Sequence, residues 1–346
     1  MQTKGIYIYG IVPNLYGADQ DQLLKESGVY FITYQNFSAL VSDTENTLID
    51  FTDRENLGRL LIQHQKIIES IMVIGFNMIL PVKLGTIVSS REEVMGILAK
   101  GYDLIRSILT KTDHLVEIDL AITWANFPES LMEIAQLPEI VAMKEEILKN
   151  ADTPSTLDQV RVGMLVQSKL DEKNKAIELN VLDKLSAQCE DIKVHEVMND
   201  QMITNAAYLL NKLNLTKFEQ TLDLLDEEFK GLLNFKMVGP LPCYSFYTIE
   251  VKELNLDLIH VARREFGINE ITTESEIKSS YLEKAKQYHP DGESELGNED
   301  NFLRINKAYH LLLEYLKASR QLNHNEQPFT ENSSGTKKLI LVKLKD

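Results

Sequence analysis

The sequence predicts an α+β protein with mainly antiparallel sheets and a separate helical segment towards its C-terminus. Three observations lead there. Short stretches with period-two alternation, such as GIYIYGIV at 5–12 and HLVEIDLAITW at 114–124, read as strands. Between them stand apolar runs of helical period, several opening with a Ser or Thr followed three residues later by Glu or Gln. From residue 255 strand signals disappear and helical ones take over, until KKLILVKLKD at 337–346 restores a strand pattern.

The helix starts are Thr52 with Glu55, Ser90 with Glu93, Thr156 with Gln159, Thr216 with Glu219 and Thr273 with Glu276. After the first, Leu57, Leu60, Leu61, His64, Ile68 and Ile71 fall on one stripe, which makes His64 a hydrogen-bonded, half-buried histidine. Further strands are expected at 29–34, 37–42 and 78–88, where Pro81 must sit at a strand start, an edge or a bulge. A second set follows a long helix at 156–188, with strands near 191–197, 202–210, 232–238 and 244–251 and a helix at 217–230.

The expected organisation is an N-terminal α+β domain at 1–127, a helical connector at 128–152 and a C-terminal α+β domain at 153–254. A helical module at 255–322 and a polar linker at 323–336 come next. The final strand, 337–346, needs a sheet, and we expect it to return to the second α+β domain, making the helical module an insertion.

The chain of 346 residues is 44% hydrophobic and 25% charged, the balance of a globular protein of two or three domains. Its net charge of −16 is spread widely with no basic block, which argues against nucleic acid as a partner. No run is long and apolar enough to span a membrane and the N-terminus enters a strand directly, so a cytoplasmic protein without membrane insertion is expected. Cys189 and Cys243 lack metal-ligand spacing and read as buried free thiols. Nucleotide-binding, zinc-protease and serine-hydrolase motifs are missing, so no enzymatic activity, cofactor or metal is expected.

Four stretches, in order, resemble signatures of the gas vesicle protein F/L family. They are YIYGIV at 7–12, ILPVKLGTIVSS at 79–90 with Pro81, Gly85 and Thr86, NAAYLLNK at 205–212 with Asn205, and VGPLPCYSF at 238–246 with Gly239, Pro240, Pro242, Tyr244 and Phe246. His64 also stands where the family tends to have histidine, and Cys243 where a second proline is usual. The resemblance covers residues 1–250 and implies two ferredoxin-like halves. It also implies an accessory role in gas vesicle assembly, partners among the gas vesicle shell protein and other gas vesicle accessory proteins, and a location at the vesicles. It does not separate F-type from L-type members. Read from their own chemistry, the motif residues specify the fold: Gly239, Pro240 and Pro242 stiffen a turn into a strand carrying Tyr244 and Phe246, and Gly85 permits a close backbone approach.

Residues 261–316 resemble the J-domain of Hsp40 co-chaperones, on the strength of TTESEIKSSYLEKAKQYHPD followed by NFLRINKAYHLLLEYL. Ile277, Tyr281, Leu282, Ala285 and Tyr288 form one apolar stripe, facing another of Phe302, Ile305, Ala308, Tyr309 and Leu312. The resemblance implies docking to Hsp70 through His289, Pro290 and Asp291 and a basic face with Lys278, Lys284 and Lys286. Glu274, Glu276 and Glu283 balance these lysines, so an active Hsp70-stimulating module and a J-like fold reused for packing or shell-protein contact both stay open. Two other readings stand beside an assembly factor: a general Hsp70 co-chaperone whose α+β domains select clients, and a minor structural component of the vesicle.

Overall fold

The computed structural model describes residues 5–14, 28–45, 52–76, 78–150, 153–268, 273–289, 299–321, 330–331 and 337–345. The chain divides into two compact units, Met1–Thr110 with Tyr247–Asp346, and Lys111–Phe246.

Unit 1 begins with β1 (Gly5–Pro13), β2 (Val29–Tyr34) and β3 (Phe37–Thr44), then α1 (Arg54–Val73) and two short strands, β4 (Leu80–Pro81) and β5 (Ile87–Val88). The sheet order is β2-β3-β1-β4, antiparallel throughout, with β5 also on β1. Pro81 sits in the two-residue strand β4 opposite Gly10, consistent with a ring that has no N–H for a continuous ladder. Helices α2 (Arg91–Lys100) and α3 (Tyr102–Thr112) supply Val94, Leu98 and Ile105 to the core beneath Ile8, Ile32 and Val41. In α1, His64, Ile68 and Ile71 are buried and Leu57 and Leu60 half-buried, but Leu61 is exposed, because the stripe facing the core is narrow.

Unit 2 contains β6 (Leu115–Trp124), α4 (Phe127–Ala135), α5 (Pro138–Asn150), α6 (Thr156–Ser186), β7 (Asp191–Val194), β8 (Met202–Asn211), α7 (Leu215–Phe229) and β9 (Leu233–Leu241). Its order, β7-β8-β6-β9, repeats the permutation of unit 1, and with helices between the first and second and between the third and fourth strands this is the ferredoxin-like βαββαβ arrangement. Ile118, Leu120 and Ile122 point to the helices, so Glu117 and Asp119 share the opposite face.

Three expectations need correction. The strand at 114–124 lies between β8 and β9 in the second sheet rather than in the first domain, because its apolar residues share one core with Tyr208 of β8, Phe218 of α7 and the other helices of unit 2. The segment 128–152 is no connector: Ile134 and Ile140 of α4 and α5 are buried in that same core. Nor is 244–251 a strand from its start, since 244–246 form a turn and β10 runs Ile249–Asn255.

Strand β10 opens the second part of unit 1, followed by α8 (Leu256–Phe266), α9 (Glu274–Tyr288), α10 (Glu299–Arg320), β11 (Thr330–Glu331) and β12 (Lys337–Leu344). The last strand pairs antiparallel with β10 along its length, so the helical module is an insertion between two paired strands. The strand it pairs with falls mostly within the segment expected to form the second α+β domain, as anticipated, but that strand belongs to unit 1 rather than to unit 2. Val82 bridges Ile249, and Lys83 N–H donates to the Ile249 carbonyl at 2.8 Å, which ties β10 and β12 to unit 1.

The reason lies in β12 itself, which is apolar on both faces. Ile340 and Val342 enter the core formed with α2 and α3, while Leu339 and Leu341 pack with Leu254, Ile259 and Ala318 at the base of the helical module. A strand buried on both sides needs a slot between two layers, and unit 1 supplies one. At Gly101, a Cβ would lie 2.7 Å from Val342, so the bare backbone lets α2 and α3 meet this strand. An ion-pair ladder lines the same region: Lys83 with Glu250 at 2.5 Å, Glu250 with Lys343 at 3.4 Å, and Glu314 with Lys252 at 2.6 Å. Half-exposed pairs contribute about 1 kcal/mol or less each, so burial holds the strand while the ladder aligns it. The outer edge of β12 is capped by Gln321, whose amide accepts from Val342 N–H at 3.1 Å and donates to its carbonyl at 2.5 Å.

Of the five helix starts, Ser90 and Thr273 cap α2 and α9 as expected. Caps fall one residue away in α1 (Asp53) and α6 (Ser155), where the side chain at the new position reaches two or three residues on. Helix α7 begins at Asn214, ahead of Thr216, with no side-chain cap because a 3-10 turn leads into it.

Replacing Leu341, 1% exposed, by Ala is expected to cost about 2–5 kcal/mol in chemical denaturation and to loosen both unit 1 and the helical module. A cost below about 0.5 kcal/mol would show β12 to be peripheral.

Candidate functional site

The residues singled out from the sequence gather in three places. In unit 1, the Tyr7 hydroxyl lies 2.9 Å from His64 Nδ1 and accepts from Gly85 N–H at 3.2 Å, joining three motif stretches in one buried network. Gly85, at φ 85°, occupies the left-handed position of a turn closed by Thr86, whose N–H and Oγ1 donate to the Lys83 carbonyl at 3.2 and 2.6 Å. Burial lowers His64 to about 4, so it is a neutral structural residue, fully buried rather than half-buried. Burial, foremost, raises Tyr7 to about 12.

In unit 2, Asn205 lies in β8, where its carbonyl accepts from His195 N–H at 2.7 Å. Gly239 and Pro240 lie inside β9 instead of forming a turn. Gly239 has φ 147°, and a Cβ there would stand 2.5 Å from Ile118 and 2.9 Å from the Glu117 carbonyl, so no other residue fits. Tyr244 and Phe246 belong to a turn rather than a strand, since Tyr244 N–H donates to Pro242 O at 2.7 Å and Phe246 N–H to Cys243 O at 3.3 Å. What folds the turn back is Glu117, which sequence reasoning missed. Its carboxyl accepts from Ser245 N–H and Oγ–H, both at 2.8 Å, while Lys193 Nζ donates to Ser245 O at 2.6 Å and lies over the Phe246 ring at 5.6 Å. In the sequence Glu117 and Asp119 look like ordinary solvent-face positions of an alternating strand. Their proximity to VGPLPCYSF exists only in the fold.

The third place is the helical module. Ile277 packs with Ile305, Leu312, Ala262 and Phe266. The Tyr281 ring stacks on Tyr309 with centroids 4.3 Å apart, and its hydroxyl donates to Asn306 Oδ1 at 2.6 Å. Ser280 Oγ–H donates to Phe266 O at 2.7 Å, and Arg304 pairs with Glu265. His289 follows α9 in extended geometry (φ −62°, ψ 131°), as a residue preceding proline prefers, and its ring meets Phe302 edge-on at 5.1 Å. Pro290 and Asp291 lie outside the described residues.

Leu282 does not join the buried stripe: it is 51% exposed, because five apolar residues at these spacings cover more of the helix than one partner helix can bury. It stands between Lys278 and Lys286 at intervals of four, so the outer face of α9 presents cation, apolar side chain, cation. Lys278, Lys286 and His289 are exposed and Lys284 is half-buried.

Among the described residues no group of His, Cys, Asp and Glu could hold a metal ion, and no helix is long and apolar enough to cross a membrane. Two α+β units of like permutation, with a helical hairpin of J type built into the first, define a two-domain scaffold bearing a co-chaperone-like module.

The profile of the gas vesicle synthesis protein GvpL/GvpF family matches residues 5–248, and that of the DnaJ domain matches residues 265–320. The chain belongs to the GvpL/GvpF family and carries a C-terminal DnaJ domain. It is 24% identical to gas vesicle protein F of Microcystis aeruginosa over 253 residues, covering 70% of this chain and 98% of that protein. With gas vesicle protein F of Nostoc sp. it shares 26% over 249 residues, 71% of this chain and 99% of that one. The C-terminal part is 37% identical over 79 residues to the chaperone protein DnaJ of Mesoplasma florum, 22% of this chain and 21% of that one. The crystal structure of GvpF from Anabaena sp. PCC7120 superposes with a TM-score of 0.56 at 24% identity, over 70% of this chain and 98% of that one, which supports the α+β fold.

His64 takes up a proton more readily unfolded than folded. Its contribution is therefore complete above about pH 6.5 and is lost as pH falls towards 4, by up to about 3 kcal/mol. Glutamine at this position should remove that dependence, so the stability gap between wild type and His64→Gln narrows from pH 7.5 to 4.5. A gap that stays constant in urea titrations would contradict a buried neutral imidazole.

Proposed function

We propose that the protein is a non-enzymatic assembly factor of gas vesicles that binds the small hydrophobic shell protein before it enters the wall, and that its J-type module recruits an Hsp70 to this task. The carrying observation is that the whole GvpL/GvpF region and the DnaJ domain share one chain, with the module inserted between two strands of unit 1. A subunit that builds a wall with one apolar side exposes aggregation-prone surface until it is incorporated. A partner that covers this surface by strand addition or in an apolar groove keeps it soluble and seeds ordered growth. The partners are the shell protein, other gas vesicle accessory proteins and Hsp70, and the protein works in the cytoplasm at the vesicles.

The arrangement of α9 favours an active module over a packing element. Its buried side is satisfied by α8 and α10, and its outer face, with Lys278, Leu282 and Lys286, is exposed, while His289 at its end rests against Phe302. A cationic face in a chain of net charge −16 suits an acidic partner surface.

Crosslinking to the shell protein is expected mainly within residues 1–125; crosslinks confined to 255–320 would count against the shell-binding reading. In a separate assay, the protein should stimulate ATP hydrolysis by its cognate Hsp70, with the stimulation lost in His289→Gln and reduced several-fold in a Lys278→Glu, Lys286→Glu variant. Stimulation indifferent to His289→Gln would sink the docking role.

A further inference from the structure

We propose that residues 242–246 form a pH-responsive clasp over the Glu117–Asp119 carboxyl pair, closed while the pair holds a proton and released as it ionises. Glu117 is 1% exposed and each of its oxygens takes a hydrogen bond from Ser245. Asp119 follows on the same face of β6, and its Oδ1 is buried without a hydrogen-bond partner. Among the described residues neither carboxyl forms an ion pair with lysine or arginine. Two adjacent carboxyls in such a site do not both ionise cheaply, because each charge loses its hydration and opposes the other.

The groups around the pair do not neutralise it. From β7, Lys193 directs its ammonium to the Ser245 carbonyl, and His195 Nε2 stands 3.4 Å from Ser245 Oγ, with its imidazole lowering Asp119. From β8 and β9, apolar Leu209 and Leu241 stand opposite Glu117. From the clasp come Ser245 and the buried thiol of Cys243, which desolvation, foremost, pushes up to about 12. Burial is the main cause that raises Glu117, to about 7; the Ser245 donors oppose it and the charge of Asp119 adds to it. Burial likewise raises Asp119.

The direction follows from linkage. Closed, the pair keeps its proton; opened to water, it releases it at ordinary carboxylate pH. Opening is therefore favoured as pH rises from the ordinary carboxylate range to about 7 and levels off once the closed form has ionised as well. Cys243, 5% exposed within the clasp, reports the opening.

The full-length protein is treated with 4,4′-dithiodipyridine between pH 5 and 8, and modification of Cys243 is followed by peptide mass spectrometry in wild type and Glu117→Gln. Reaction proceeds through the opened form, in which the thiol no longer lies against Glu117, so dividing the two rates leaves the opening equilibrium. The ratio is expected to rise about tenfold per pH unit up to pH 7 and then level off; a ratio constant with pH overturns the proposal. If Glu117→Gln does not fold, hydrogen exchange of wild type decides. The protection factor of the Ser245 amide should fall across the same window while those of β6 amides such as Ile122 hold, and uniform protection overturns the clasp.

Discussion

The structure of unit 1 depends on one constraint: β12 is apolar on both faces and has to be buried on both. Its even-numbered residues complete the core under β1 and β3, and its odd-numbered residues form the floor of the helical module. This makes the last strand in the sequence the shared wall of two cores. The helical module is consequently built into the scaffold, with α10 resting on β12 and α9 packed outside α10. A DnaJ domain fixed in this way presents its outer helix at a set position relative to the α+β sheet of unit 1, unlike one carried on a flexible tether.

The family motifs act mostly as hydrogen-bond terminals for side chains from distant stretches. Tyr7 reaches His64 and Gly85, and Glu117 reaches Ser245, 128 positions away. Buried polar groups carry a cost unless each finds its partner, so such networks specify one arrangement of strands more sharply than apolar packing can. Gly239 and Gly85 then serve backbone geometry, one through an approach that excludes any side chain and the other through a left-handed turn.

Much of this was legible in the chain. Strand signals identified β1, β2, β3, β6 and β8 nearly to the residue, because β-branched and aromatic side chains favour extended backbone; burial along β1, β3 and β8 does not alternate, since both their faces are covered. The module of α8, α9 and α10 was equally plain, since its contacts are local and helix caps announce themselves. Errors arose where a contact across the fold overrode a local signal. VGPLPCYSF reads as turn then strand, yet Glu117 draws Ser245 into a turn, and Leu282 reads as core although α10 has no room for it.

By itself the sequence determined the elements, their α+β class, the motif residues and the helical insertion, because periodicity, capping and turn chemistry act over a few residues. Tertiary structure alone decided which unit owns β6, where β12 pairs and that Glu117 with Asp119 lies beneath the signature turn. Those outcomes rest on which apolar faces can cover one another and which buried polar atoms can be satisfied, conditions that join residues far apart in the sequence, such as Ile249 with Leu344 and Glu117 with Ser245.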